Sequence, residues 1–398
     1  MAALRHGLVK EAHRLLSLLP AGGTRACVYG WPDYEENSLV AAAALAAAGV
    51  RVTLLAEDVD AAARYLALVD DDAGSVEIVQ KNSLRGLRRA SAAHILLFTH
   101  GLFGSPDLTA KKLVVNLWHG FGPKSNDNSV FAATIPFSVM TCDTPQWGLA
   151  AARWLGQPEA PLLTTGNPRQ VALRRSPSAE AFSRLGLEAG KYVLWMPTYR
   201  STNGTSGPVW RDAPGLSDRP AEGEGVDPTS AIARIAADSG VEVVVKPHPL
   251  DADRYERSGL RVLTTDQIFG AGMTLYQFIG SSAAMISDYS SVWVEYLDVD
   301  RPLLLFCPDI SDYVGGRGLS QPYMTDIARD LIVEHTSDVA AFLEVIAEGG
   351  DWRPDERHGL RKALELEPVL DSAGFADVVL EELRRHRGAR SAARGARP

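Results

Sequence analysis

Three short turns hold the groups in this chain that could do chemistry: Asn116-Leu117-Trp118-His119-Gly120, Lys246-Pro247-His248-Pro249 and Ser287-Asp288-Tyr289-Ser290-Ser291. Each follows a short apolar run, the place where an open α/β sheet presents its ligand groups. His119 stands between a tryptophan and a glycine, and Gly122-Pro123 beyond it forces a turn rather than a helix. An imidazole at such a tip, with an ordinary pKa of about 6.5, can take a proton from a hydroxyl at neutral pH. A core histidine bonded to a backbone carbonyl is the competing explanation. Lys124 can hold a phosphate or be an ordinary surface lysine, and Asn116 is counted with it on the acceptor side. In the second turn, prolines fix the backbone on both sides of His248, so His248 and Lys246 can stabilise charge on a diphosphate leaving group. A rigid strand exit without a ligand explains the same residues. The third turn sets Ser290 and Ser291 at a helix start, with Asp288 just before. Free amides and hydroxyls there make an anion site, while simple capping by serine accounts for them equally well. Glu295 lies at i, i+4 from Ser291 and meets ribose hydroxyls if that face lines the cleft.

Several function classes fall away. No glycine-rich dinucleotide fingerprint, phosphate-binding P-loop or His-Glu-x-x-His pattern is present, so dehydrogenase and ordinary kinase readings are set aside and no metal or cofactor is expected. A formal net charge of -9 argues against a nucleic-acid binder, which needs a basic footprint. Cys27, Cys142 and Cys307 lie far apart in apolar runs, which suggests neither disulfides nor a zinc site and fits a reducing, cytosolic setting. No stretch of about 18 charge-free apolar residues occurs, and Lys10, His13 and Arg14 interrupt any signal-peptide core. Residues Met1 to Pro20 read as a helix with Leu4, Leu8, Leu15 and Leu19 on one side, packed on the sheet or lying on a membrane surface.

The elements that must carry these turns alternate between strand and helix. Strands are expected at Ala26 to Gly30, Val50 to Leu55, Ala93 to Thr99, Leu113 to Leu117 and Ser138 to Cys142. In the second half they are expected at Tyr192 to Met196, Val241 to Val245, Ala284 to Ser287 and Leu303 to Phe306. Helices are expected at Ser38 to Ala48, Pro145 to Leu155, Thr229 to Asp238 and Ser290 to Asp298. Such alternation predicts an α/β protein with parallel sheets covered on both faces. At 398 residues the chain exceeds one ordinary core. We therefore expect two Rossmann-like domains, 1–166 on the acceptor side and 191–350 on the donor side, with the cleft between them. A linker is expected over 167–190, helices over 351–383 and a disordered basic tail over 384–398. The loop from Ser201 to Pro228 is long enough for a functional lid or a disordered insertion. The tail holds Arg384, Arg385, Arg387, Arg390, Arg394 and Arg397, a composition that either stays solvated or meets an anionic surface.

Taken together, Trp118-His119-Gly120, Gly166-Asn167-Pro168-Arg169, Pro197-Thr198-Tyr199-Arg200, Lys246-Pro247-His248-Pro249, Ser287-Asp288-Tyr289-Ser290-Ser291, Asp300-Arg301-Pro302 and Tyr313 with Arg317-Gly318 resemble the CDP-glycerol glycerophosphotransferase family of teichoic acid primases and polymerases. The family usually continues its first motif with Thr-Pro-Leu-Lys where Phe121-Gly122-Pro123-Lys124 stands here, and more often has Asp where Glu295 stands. The resemblance implies a glycosyltransferase-B-type fold and a membrane-peripheral enzyme on the inner face of the plasma membrane. It implies transfer of a polyol phosphate from CDP-glycerol or CDP-ribitol to a lipid-linked or polymeric acceptor, with release of CMP. His119 is then the general base, and His248, Ser290, Ser291, Arg200 and Arg317 hold the donor phosphates. A nucleotide-sugar glycosyltransferase or epimerase on the same fold, and a non-catalytic polymer-binding protein, are the rival readings.

Overall fold

The computed structural model describes residues 23–70, 75–101, 107–125, 136–198, 228–247, 255–316 and 318–395. These residues form two compact units, each built on one parallel sheet. The first unit takes its described residues from 23–121, 136–171 and 367–395. Its strands are β1 (Arg25–Tyr29), β2 (Arg51–Ala56), β3 (Glu77–Gln80), β4 (Ile95–Phe98), β5 (Leu113–Asn116), β6 (Val139–Thr141) and β7 (Leu162–Leu163). They lie in the order β3-β2-β1-β4-β5-β6-β7. Every residue of β4 and β5 is buried, as expected where helices cover both faces and no polar face is needed. The helix Glu36–Ala47 is inside along most of its length, because Leu39 to Leu45 are small or apolar on every side. Glu35 caps it by accepting from Ser38 N at 3.0 Å. In the same core lie Phe375, Ala376, Val379 and Leu383 of the helix Ser372–Gly395, each larger side chain contributing about 1.5–3 kcal/mol by burial.

The second unit holds 122–125 and the described residues of 172–366. Its strands are β8 (Tyr192–Trp195), β9 (Glu242–Val245), β10 (Arg261–Val262), β11 (Ala284–Ser287), β12 (Leu303–Phe306) and β13 (Ile332–Val333), in the order β10-β9-β8-β11-β12-β13. Both sheets are doubly wound. In the first, successive strands run outwards from β1 on one side and from β4 on the other; in the second, from β8 and from β11. Ligands of such sheets gather at the carboxyl ends of the strands where the order reverses, which here means the exits of β1, β4, β8 and β11.

The segmentation differs from the expected one in three places. The proposed linker 167–190 is packed structure: Pro168–Arg174 is a 3-10 helix, Asn167, Arg169 and Gln170 are buried, and the helix Ala179–Leu185 buries Phe182 and Leu185. Its polar residues divide: Asn167, Arg169 and Gln170 are buried, whereas Arg174, Arg175, Glu180 and Arg184 face solvent. The C-terminal helices divide, Pro354–Ala363 joining the second unit and Ser372–Gly395 the first. The tail expected to be disordered continues that last helix through Gly395. Arg384 and Arg385 pair with Glu381 and Glu382 one turn earlier, and Leu383 is still buried. The N-terminal helix over residues 1–20 and the loop over 201–227 lie outside the described residues.

Candidate active site

Each unit has its own constellation at the carboxyl ends of its strands, at or beside the reversal point. In the first unit, His119 follows β5 in a turn that the backbone would not adopt unaided. Trp118 has φ +50°, a left-handed value that costs a bulky residue about 1–3 kcal/mol, and Gly120 has φ +133°, which glycine alone takes readily. Three contacts hold the turn. Trp118 N donates to Asn116 Oδ1 at 2.9 Å, Asn37 Nδ2 donates to the Trp118 carbonyl at 3.3 Å, and Arg169 Nη2 donates to the His119 carbonyl at 2.9 Å. Arg169 is itself fixed by Glu35 at 3.1 Å, with both side chains almost wholly buried. Burial pushes the Glu35 carboxyl pKa up, against the opposing pull of Arg169 and the Ser38 hydrogen bonds. Asn116, expected on the acceptor side, is fully buried and serves as a brace for the turn.

A second imidazole, which the sequence reading missed, stands at the exit of the neighbouring strand. The His100 ring is stacked on that of His119 with centroids 4.1 Å apart and planes 8° from parallel, and the Trp118 ring lies 4.0 Å from His119 at a tilt. His100 Nδ1 is 3.0 Å from Thr99 Oγ1, and the Trp31 ring meets His100 edge-on at 5.2 Å. Gly101 after His100 has φ +138°, as Gly120 does after His119. The repeated His-Gly pair after two apolar strands was the available signal. Arg169, in Gly166-Asn167-Pro168-Arg169, was likewise visible as a motif but not as the support of the histidine.

In the second unit the exits of β8 and β11 are tied together by Asp288. Its carboxylate accepts from Thr198 N at 3.0 and 2.9 Å, from Thr198 Oγ1 at 2.6 Å and from Ser290 N at 3.2 Å. Asp288 therefore organises the loop rather than facing a phosphate, which its charge would repel. Ser290 and Ser291 are half-buried. The helix expected from Ser290 begins at Val292 and has five residues, so its dipole is small, and the polar groups on offer are chiefly the hydroxyls. Gly122 lies so close that an added Cβ would sit 2.8 Å from Ser291 Cα. Beyond it Lys124 pairs with Leu319, and its carbonyl accepts from Ser320 Oγ at 3.1 Å, which places Lys124 in the second unit and not with the acceptor side. Lys246 is buried with its ammonium on the Pro247 carbonyl at 3.0 Å, and burial lowers its pKa to about 8. Glu295 is completely buried, so ribose hydroxyls cannot reach it in this arrangement of side chains. Tyr313 is a core residue stacked on Tyr289 at 3.6 Å, and Asp300 receives the buried Arg357 at 2.9 Å. His248, Arg200 and Arg317 lie outside the described residues. Among the described residues no three His, Cys, Asp or Glu side chains are grouped to hold a metal ion.

The profile of the family described as CDP-Glycerol:Poly(glycerophosphate) glycerophosphotransferase matches residues 143–364. A teichoic acid ribitol-phosphate primase of Bacillus spizizenii is 29% identical over 98 residues, 21% of this chain and 25% of that protein. A teichoic acid glycerol-phosphate primase of Staphylococcus aureus is 23% identical over 287 residues, 66% of this chain and 68% of that protein. The match thus spans a quarter of the first primase and about two thirds of the second. Among solved structures, the wall teichoic acid polymerase TagF superposes with a TM-score of 0.64 at 16% identity, covering 96% of this chain and 97% of that one, which shows a shared fold.

Proposed function

Because the chain belongs to the CDP-glycerol:poly(glycerophosphate) glycerophosphotransferase family, we propose that it transfers a polyol phosphate from a CDP-polyol to an acceptor hydroxyl and releases CMP. The observation that carries this reading is the braced His119 turn, an imidazole aimed from a strand exit by strained backbone and a buried ion pair. In the proposed reaction His119 takes the proton of the acceptor hydroxyl. The freed oxygen attacks the phosphorus attached to the polyol, and the bond from that phosphorus to the oxygen of the cytidine monophosphate breaks. Catalysis of such a transfer is mostly positioning and charge stabilisation. We assign the latter to Lys246, His248, Ser290, Ser291, Arg200 and Arg317, with no metal or cofactor in the scheme. Lys246 supports this: a buried ammonium gains from an anion more than a solvated one does. The family description and the staphylococcal primase favour glycerol phosphate as the group moved, and the Bacillus primase keeps ribitol phosphate as the alternative. The acceptor in this reading is a lipid-linked or polymeric chain of teichoic acid type, met at an anionic membrane surface. Among the described residues no helix is long and apolar enough to cross a membrane, and attachment would be peripheral.

The test is purified protein with CDP-glycerol, CDP-ribitol and a panel of UDP-sugars, each offered with a lipid-linked acceptor, read by CMP release and product mass. The reading expects acceptor-dependent CMP release and a product heavier by one or more polyol phosphates. Turnover of a UDP-sugar alone, or CMP release undiminished in His119→Ala, would overturn it.

A further inference from the structure

Two imidazoles stand side by side at neighbouring strand exits of the first unit, and the proposed reaction uses only one. We propose that His100 is a positioning residue for the base: its neutral ring, stacked face to face on His119, stabilises the imidazolium formed when His119 takes the acceptor's proton, and so sets the pH range in which the base works. The inference rests on the reading of His119 as that base.

Geometry carries the argument. With planes 8° from parallel and centroids 4.1 Å apart, the His100 ring stacks on the face of His119. The ring is not free to turn away, since Thr99 Oγ1 holds its Nδ1 at 3.0 Å and the same oxygen accepts from Trp31 N at 3.3 Å. Trp31 also leans on it edge-on. A cation over a neutral aromatic face is attracted, whereas two stacked imidazolium ions repel, so the arrangement helps only if His100 stays uncharged. Its surroundings ensure this. The His100 residue keeps an exposed edge, but desolvation of its ring among the packed neighbours, with Arg169 and Lys81 adding to it, brings its pKa down to about 4. Both of these cations are themselves ion-paired, Arg169 with Glu35 at 3.1 Å and Lys81 with Asp33 at 3.0 Å. Trp118 gives His119 a second aromatic neighbour without a charge. Across the working range the stack therefore holds at most one proton more than its resting state, the one His119 has just taken. His100 gains and loses nothing in the step. The proton passes from acceptor oxygen to His119 and then to solvent, and the bond pair leaves with CMP.

The test is the pH dependence of kcat/KM, by CMP release, in wild type and in His100→Ala, His100→Phe and His119→Ala. A stabilised imidazolium is a stronger base. Removing the stack should move the acid limb of the His100→Ala profile down by about 0.5–1 pH unit and lower its plateau about 3–30-fold, with donor KM unchanged. Phenylalanine restores a neutral aromatic face, so His100→Phe should keep its acid limb within about 0.3 unit of wild type. His119→Ala should lose the limb. An unmoved limb in His100→Ala, while His119→Ala abolishes it, overturns the proposal alone. So does His100→Phe behaving as His100→Ala, because the hydrogen bonds of the ring and not its face would then matter. A limb that persists in His119→Ala takes the proposal down together with the base assignment.

Discussion

Replacing Arg169 by lysine isolates what the histidine turn owes to its guanidinium. Nη1 of Arg169 meets Glu35 at 3.1 Å while Nη2 meets the His119 carbonyl at 2.9 Å, so one planar fork spans two acceptors. Lysine keeps the charge beside Glu35 but is a point donor and cannot reach both. The variant therefore loses one charge-assisted hydrogen bond at a buried site, worth about 1.5–3 kcal/mol. In a unit of this size that lowers Tm by about 3–12 °C. The functional effect is separate. Released at its carbonyl, the turn can relax from the left-handed φ of Trp118 and carry the imidazole with it, and a misplacement of about 1 Å at a reacting group costs on the order of 10²-fold. We expect kcat to fall roughly 30–300-fold with KM for the CDP-polyol within about twofold, because the donor groups are assigned to the other unit. Turnover at saturating substrates, well below the melting temperature of the variant, reads the first, and calorimetric CMP affinity reads the second. A variant with lowered Tm but wild-type kcat would refute the claim that Arg169 positions the histidine and leave it a structural strut.

The other predictions are simpler. His119→Ala should lose about 10²–10⁴ in turnover and keep CMP affinity, and calorimetry beside the rate assay separates the two. Lys246→Met should raise the melting temperature of the unliganded protein at pH 7 and weaken CMP binding, since it removes a buried ammonium whose desolvation is met by a hydrogen bond to the Pro247 carbonyl. The sign follows from linkage. With the folded pKa at about 8, below the ordinary 10.5, only the unfolded chain holds this proton between those values, so wild-type stability gains from rising pH across that window and the methionine variant does not. Melting curves at pH 7 and pH 10 check it; a lower Tm at pH 7 would contradict the account. The protein should sediment with anionic but not neutral vesicles at low salt and release as ionic strength rises. Each arginine near the surface contributes at most about 1 kcal/mol, screened over about 8–10 Å. Arg384 and Arg385 contribute less, being paired to Glu381 and Glu382, and equal binding to neutral vesicles would exclude this mode.

How much of this was legible depended on the length and purity of each signal. β4, β5, β8, β11 and β12 are apolar runs bounded by turn residues, and sequence places them within a residue or two. β10 is two residues, Arg261 and Val262, and β3 begins with a half-buried glutamate; neither carries a pattern that survives without its neighbour in the sheet. His119 was readable because its own turn chemistry marks it. His100 was not, since its meaning comes from strand order: only when β4 lies beside β5 do two His-Gly exits become one stack. Asp288 shows the same limit. Its acidic side chain next to two serines suggested a ligand group, but its partner Thr198 is ninety positions away in the chain, and only the fold makes the pair. The arginine-rich end reads as solvated from its own charge, but it continues a helix that Phe375, Val379 and Leu383, just before it, anchor in the core.

The return of the last helix to the first unit bears on how the protein is made. Synthesis delivers β1 to β7 early, but the core they form with the helix Glu36–Ala47 lacks Phe375, Ala376, Val379 and Leu383 until some two hundred further residues have been translated. At about 5–20 residues per second that is an interval of roughly 10–40 s. During it the alanine face that receives the helix is open on the nascent chain, while the second unit, completed by residue 366, can already close. The unit that bears His119 is thus sealed only by residues that follow the second unit in the chain, and a truncation between 366 and 375 would keep the second unit whole and leave the first without the side chains that close its core.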